Sequence, residues 1–236
     1  MANASSSVQI TLYGPAITPY TEKVVRALRL KRLAFELVEP RRPEDYRRFS
    51  PETGLLPVIE IGGERTADST AILDRLDARF PEPPLLASEP KVAQEQRRLE
   101  EWVSETFFFY LHRWLNARVG PQPDPPAGTT PSGPLGRLGL IGPDGAIRDT
   151  LFDTRDGGPG EEFERRIDDL DKLLGGRPFF FGHRISRADL AAFAFLNGLY
   201  RNRYPGGRAL LERWPALLAH TERVDRATAG SSPNYS

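Results

Sequence analysis

"LYGPAITPYTEKVVRAL", Leu12 to Leu28, joins the end of a strand to the start of a helix. Residues 8–13 alternate around Ile10 and Leu12 and stop at Gly14-Pro15, the pattern of a short half-buried strand. Thr18 stands at a helix N-cap position, and Pro19 suits the first helical position, where no N–H donor is needed. Val24 and Leu28 then share one face of a helix predicted over residues 18–31. Thr18-Pro19-Tyr20-Thr21 has the form of a Cys-Pro-Tyr-Cys dithiol segment, with hydroxyls where sulfurs would sit.

Reading outward, residues 35–39 form a second strand stopped by Pro40. Strand, helix and strand over so short a span predict a parallel βαβ unit with a right-handed crossover. "PEDYRRFSPETG" reads as a short helix and loop. Residues 58–61 are a strand, Gly62-Gly63 is a two-residue hairpin turn, and residues 64–66 return. Residues 69–80 are a helix with Ile72, Leu73, Leu76 and Phe80 facing inward.

The Pro-rich stretch "PEPPLLASEP" marks a domain boundary, after which every ordered segment reads as helical. One long helix is expected over residues 91–118, ending in the aromatic cluster Trp102, Phe107, Phe108, Phe109, Tyr110 and Trp114. An irregular Pro/Gly-rich loop follows near 119–160, and a helix resumes over 161–174. Ser186 and Asp189 form a capping box, flanked at the staple positions by Ile185 and Leu190. The helix they open is apolar nearly all round and should be buried. A last helix runs over about 215–228. Two domains result, 8–84 and 90–229.

The chain has no cysteine, which removes disulfides, thiolate catalysis and Cys-ligated metals together. Thr18 and Thr21 therefore cannot run dithiol chemistry. Lys+Arg and Asp+Glu number 32 each, so net charge argues for neither a nucleic-acid nor a membrane partner. No apolar run reaches the length of a membrane span, and "MANASSSVQI" lacks the pattern of a secretory signal, so cytoplasm is the expectation. His112, His183 and His220 are far apart in sequence and suggest no metal site.

Four segments in order resemble the glutathione S-transferase superfamily: "LYGPAITPYTEKVVRAL", "SPETGLLPVIEI", "ADSTAIL" and "ISRADL". The resemblance implies an α/β plus all-α protein, a thioredoxin-like N-terminal domain followed by an all-helical C-terminal domain. It also implies glutathione as co-substrate, a small hydrophobic electrophile as the second substrate, and a homodimer. The expected activity is conjugation or transformation of that electrophile. The alternatives are a glutathione-dependent isomerase or dehalogenase on the same site, and a transferase-fold binding or scaffold protein without turnover.

Onto this sequence the resemblance maps Thr18 as the catalytic position, its hydroxyl donating to the glutathione sulfur; the alternative role is a helix cap alone. Tyr13 is a second candidate near the sulfur. Leu56, Pro57 and Val58 carry a cis proline and present main chain, that of Val58, to the peptide. Asp68 and Ser69 at a helix start suit the ammonium and carboxylate of a γ-glutamyl group. Leu55 departs from the family, which places Lys, Arg or Gln there to reach the glycine carboxylate. Tyr110 and Trp114 are expected in the pocket of the hydrophobic substrate.

Overall fold

A computed structural model describes residues 8–119, 158–204, 206–230 and 234–235. It divides into two compact units, residues 1–83 with 229–236, and residues 84–228. The Pro/Gly-rich loop expected near 119–160 falls almost wholly outside the described residues.

In the first unit β1 (Ile10–Tyr13), α1 (Pro19–Leu30) and β2 (Glu36–Val38) make the expected parallel βαβ unit, with Leu12 opposite Leu37. The short α2 (Pro43–Phe49) leads to β3 (Val58–Ile61), antiparallel to β1, and β4 (Glu64–Ala67) returns beside β3. Gly62 (φ 60°) and Gly63 (φ 88°) are both left-handed, as a two-residue hairpin loop that follows the sheet's twist demands. A two-residue strand, β5 (Asn234–Tyr235), pairs in parallel with β2, and the sheet order is β4-β3-β1-β2-β5. Helix α3 (Ser69–Arg79) packs against α1. Their shared core holds Val24, Leu28, Ile72, Leu73 and Leu76, all fully buried. Phe80, expected inward, is only half-buried, because it ends α3 rather than continuing its apolar stripe. Lys31 closes this corner: its buried ammonium donates to Asp77 at 2.7 Å and to the carbonyls of Phe80 (2.6 Å) and Pro83 (2.8 Å).

The second unit begins with α4 (Pro90–Trp102) and α5 (Phe108–Val119), joined by a π-helical turn over Val103–Phe107. The long helix expected here runs on through this turn without a break, and the π turn rotates every later residue relative to a plain 3.6-residue spacing. Next come α6 (Pro159–Leu174), α7 (Arg187–Tyr200), α8 (Gly207–Leu211) and α9 (Pro215–Ala227). Residues 187–199 of α7 are buried throughout, as an all-round apolar helix requires. The capping box is formed as expected, with Asp189 accepting from the Ser186 N–H at 2.8 Å and the Ser186 hydroxyl at 2.7 Å. The short α8 gave no periodic signal in the sequence, since five residues are barely more than one turn.

Candidate functional site

The stretch from β1 to α1 puts Thr18 at the N-cap of α1, half-buried and in extended backbone. Its Oγ1 accepts from the Thr21 N–H at 3.4 Å. The hydroxyl has two acceptors of its own in reach, the Pro15 carbonyl at 3.1 Å and Thr21 Oγ1 at 2.9 Å. One proton serves either, so in this arrangement Thr18 is a fully used cap. Thr21 is fully buried, and a Cβ at Gly14 would stand 2.5 Å from its Oγ1, so only glycine lets this hydroxyl sit against the strand end. The two hydroxyls of "TPYT" therefore differ: Thr21 is core, and Thr18 lies at the rim.

Next to this helix start lies the segment before β3. The Leu56-Pro57 bond is cis. Val58 is registered opposite Tyr13 on one side and Ala67 on the other, so its main chain belongs to the sheet. Leu56 is different. It is half-buried, stands outside the strand, and its N–H and C=O make no hydrogen bond among the described residues. Main chain available to a peptide thus falls at Leu56, two residues before the Val58 position expected from sequence.

Ala67 pairs with Val58, so Asp68 and Ser69 leave β4 at the end of the sheet where Pro57 leads into β3. Asp68 has φ 75°, a left-handed conformation that costs an ordinary residue about 1–3 kcal/mol and persists only where its surroundings impose it. Its Oδ1 caps α3 by accepting from the Thr70 N–H at 2.9 Å and the Ala71 N–H at 3.0 Å, and its Oδ2 has no partner among the described residues. Ser69 is buried, with a hydroxyl that likewise has no protein partner among the described residues. Leu56 and Pro57 thus enter β3 at the end of the sheet where β4 runs on into Asp68 and Ser69.

Tyr13 does not join them. Side chains alternate along a strand, so Tyr13 faces away from the core side that Leu12 enters. Its ring lies 4.8 Å from Phe49 of α2 and 5.0 Å from the Arg65 guanidinium, and its hydroxyl donates to Glu60 at 3.5 Å. Tyr13 is thus part of the packing that holds α2 on the sheet.

In the second unit Trp114 is 1% exposed, its ring 5.3 Å from Phe163 of α6, and Phe107 meets the same ring at 5.3 Å. Trp114 is a core residue of the α5–α6 seam, and an enclosed indole lines no open pocket. Tyr110 is half-exposed, edge-on to Phe109 at 5.2 Å and beneath the Arg166 guanidinium at 5.2 Å. Phe107 and Trp114 are thus core rings, and Tyr110, expected beside Trp114 in a pocket, is partly exposed. Among the described residues no cluster of three metal-ligating side chains occurs, and no helix is long and apolar enough to cross a membrane.

Two further features were not foreseen from sequence. Glu100 of α4 and Arg187 of α7 form a buried ion pair. His220 of α9 is fully buried, its Nε2 at 2.9 Å from Asp189 and its ring edge-on to Phe180 at 5.0 Å. A histidine and an arginine far apart in sequence from their acids give no spacing signal.

Residues 12–84 match the family described as Glutathione S-transferase, N-terminal domain, and residues 163–224 match Glutathione S-transferase, C-terminal domain. FtsZ-localized protein A of Caulobacter vibrioides is 30% identical over 203 residues, 81% of this chain and 77% of that protein. Failed axon connections of Drosophila melanogaster is 27% identical over 238 residues, 89% of this chain and 54% of that protein. Among solved structures, rice GST1 in complex with glutathione aligns with a TM-score of 0.69 at 21% identity, covering 98% of this chain and 92% of that one. The sheet unit with its cis bond and left-handed Asp68, and the helical unit with its buried capping box, are each matched in their own right, and the chain belongs to the glutathione S-transferase superfamily.

Proposed function

We propose that this chain binds glutathione in its first unit and presents the thiol to a small apolar electrophile. The observation that carries the reading is the unpaired Leu56 main chain at the end of the sheet where Val58 pairs with Ala67, just before the Asp68–Ser69 turn. A residue that exchanges both its N–H and C=O bonds with one ligand residue does so as an antiparallel neighbour. The cysteinyl residue of glutathione pairs there, while Asp68 Oδ2 and the Ser69 hydroxyl take the ammonium and carboxylate of the γ-glutamyl end. The thiol is then held near the head of α1, where the helix dipole favours a thiolate. Calorimetry with reduced glutathione tests this: saturable binding supports it, and no heat at millimolar glutathione sinks it.

Thr18 supplies the sulfur's hydrogen bond only if its hydroxyl turns away from Pro15 and Thr21. Thr18→Ala is expected to lower kcat near neutral pH and raise the bound thiol's pKa, with a smaller effect on glutathione affinity. Thr18→Ser keeps the hydroxyl and should keep most of the activity. Loss of the cap also destabilises by about 1 kcal/mol, so melting is measured beside the kinetics. An alanine variant that melts lower yet turns over chlorodinitrobenzene at the wild-type rate would make Thr18 a cap and nothing more.

A second reading, a binding protein without turnover, is favoured by two observations. The Thr18 proton is already satisfied within the loop. A relative at 30% identity carries the name FtsZ-localized protein A, which describes where it is found rather than a reaction. Under this reading the chain docks on a protein partner, FtsZ among the candidates. Wild-type protein that binds glutathione yet gives no glutathione-dependent turnover would select it.

A further inference from the structure

We propose that the outer edge of β2 docks an extended segment of a partner protein that sets a cation opposite Glu36, and that β5 is the weaker occupant this segment displaces. The inference depends on neither reading of the thiol site. β5 lies beyond residue 224, outside both matched family domains, so the fifth strand is an addition to the matched sheet. Without it β2 would be an edge strand. An open edge is a template for strand addition, because its outward N–H and C=O groups have no partner. On β2 those groups belong to Leu37. The Val38 carbonyl accepts from the Gly14 N–H at 3.1 Å and so faces β1, and main-chain groups alternate sides along a strand. Of this three-residue strand, only Leu37 is therefore offered to an outer neighbour.

β5 takes that position in parallel, with Leu37 opposite Tyr235 and Glu36 opposite Asn234. So short a seat is held by one or two main-chain hydrogen bonds, each worth about tenfold or less in an equilibrium, so a better-matched segment can replace it. Charge decides what a better match is. No charged residue follows Arg226, so β5 brings none. Glu36 is half-buried, and its carboxylate has no hydrogen bond or ion pair among the described residues. A lysine or arginine in the register position of Asn234 makes a cross-strand ion pair with Glu36, and an acid there repels it. The partner segment is thus extended, runs in the same direction as β2, and carries a cation at that one position.

The test is an NMR titration of the full-length protein, read at the Leu37 amide. The probes are synthetic peptides copying residues 229–236, as the native sequence and with Asn234→Lys or Asn234→Glu. The Lys peptide should shift the Leu37 resonance saturably at millimolar concentration and bind about two- to fivefold more tightly than the native one, the worth of one cross-strand ion pair. The Glu peptide should be the weakest. Glu36→Gln in the protein should erase this ranking and keep the site. The chain has no cysteine, so Glu36→Cys with Asn234→Cys can be oxidised to clamp β5 on β2. Registered α-carbons of neighbouring strands lie about 4.8 Å apart, within the span of a disulfide. The clamped form should bind none of the peptides, and the same protein after reduction should bind all three alike. The proposal is overturned if no peptide shifts Leu37, if the shift persists in the clamped form, or if wild type binds the Lys and Glu peptides alike. A Leu37 shift that follows protein concentration without peptide makes the occupant a second copy of this chain and overturns the assignment to a partner.

Discussion

Asp189→Ala is expected to destabilise the helical unit by about 4 kcal/mol, because several buried donors lose their acceptor at once. Asp189 is fully buried and accepts from the N–H groups of Phe180 (2.9 Å) and Ser186 (2.8 Å) and from the Ser186 hydroxyl (2.7 Å). His220 Nε2 stands 2.9 Å away, within hydrogen-bond reach of the same carboxylate. None of these groups can reach water after the change. Asp189→Asn keeps one oxygen and should lose clearly less. Ser186→Ala removes only the capping hydroxyl, for about 1 kcal/mol. Urea unfolding followed by circular dichroism ranks the three. If Asp189→Ala unfolds no earlier than Ser186→Ala, the acid is only a cap and the links to Phe180 and His220 add nothing.

Arg187→Ala should cost about 3–5 kcal/mol, since it removes one partner of a buried ion pair. Arg187 is fully buried and Glu100 is 1% exposed, on helices α7 and α4 that pack together. The Arg187 N–H also donates to the Leu85 carbonyl at 2.9 Å, which ties the start of the helical unit to its central helix and survives the substitution. Replacing both charges, Glu100→Leu with Arg187→Met, should recover most of the loss, because well-packed apolar side chains are often as stable as a buried pair. A double variant no better than Arg187→Ala would show that shape, and not the stranded charge, dominates at this site. Neither residue belongs to the proposed glutathione site, so any glutathione affinity in the recovered double variant should match wild type.

Local chemistry made much of this molecule legible from sequence. The alternation around Ile10 and Leu12, Pro19 behind a Thr cap, the Gly62-Gly63 turn and the Ser186–Asp189 box each act within a few residues. Such signals survive in a single sequence because the partners that satisfy them are near neighbours. They determine the order of elements, the parallel unit and the buried helix, and in the right order they make the family visible. Tertiary structure decided what depends on distant partners. It turned Trp114 into core because α6 lays Phe163 against that ring. It placed Tyr13 on the α2 side of the sheet and directed the Thr18 proton into its own loop. It moved the free main chain from Val58 to Leu56, because register with two neighbouring strands uses up Val58. Glu100 with Arg187 and His220 with Asp189 are meetings that only the folded chain arranges. A single sequence specifies each of those side chains but not its partner, because long-range pairing is set by how whole elements pack and leaves no spacing along the chain.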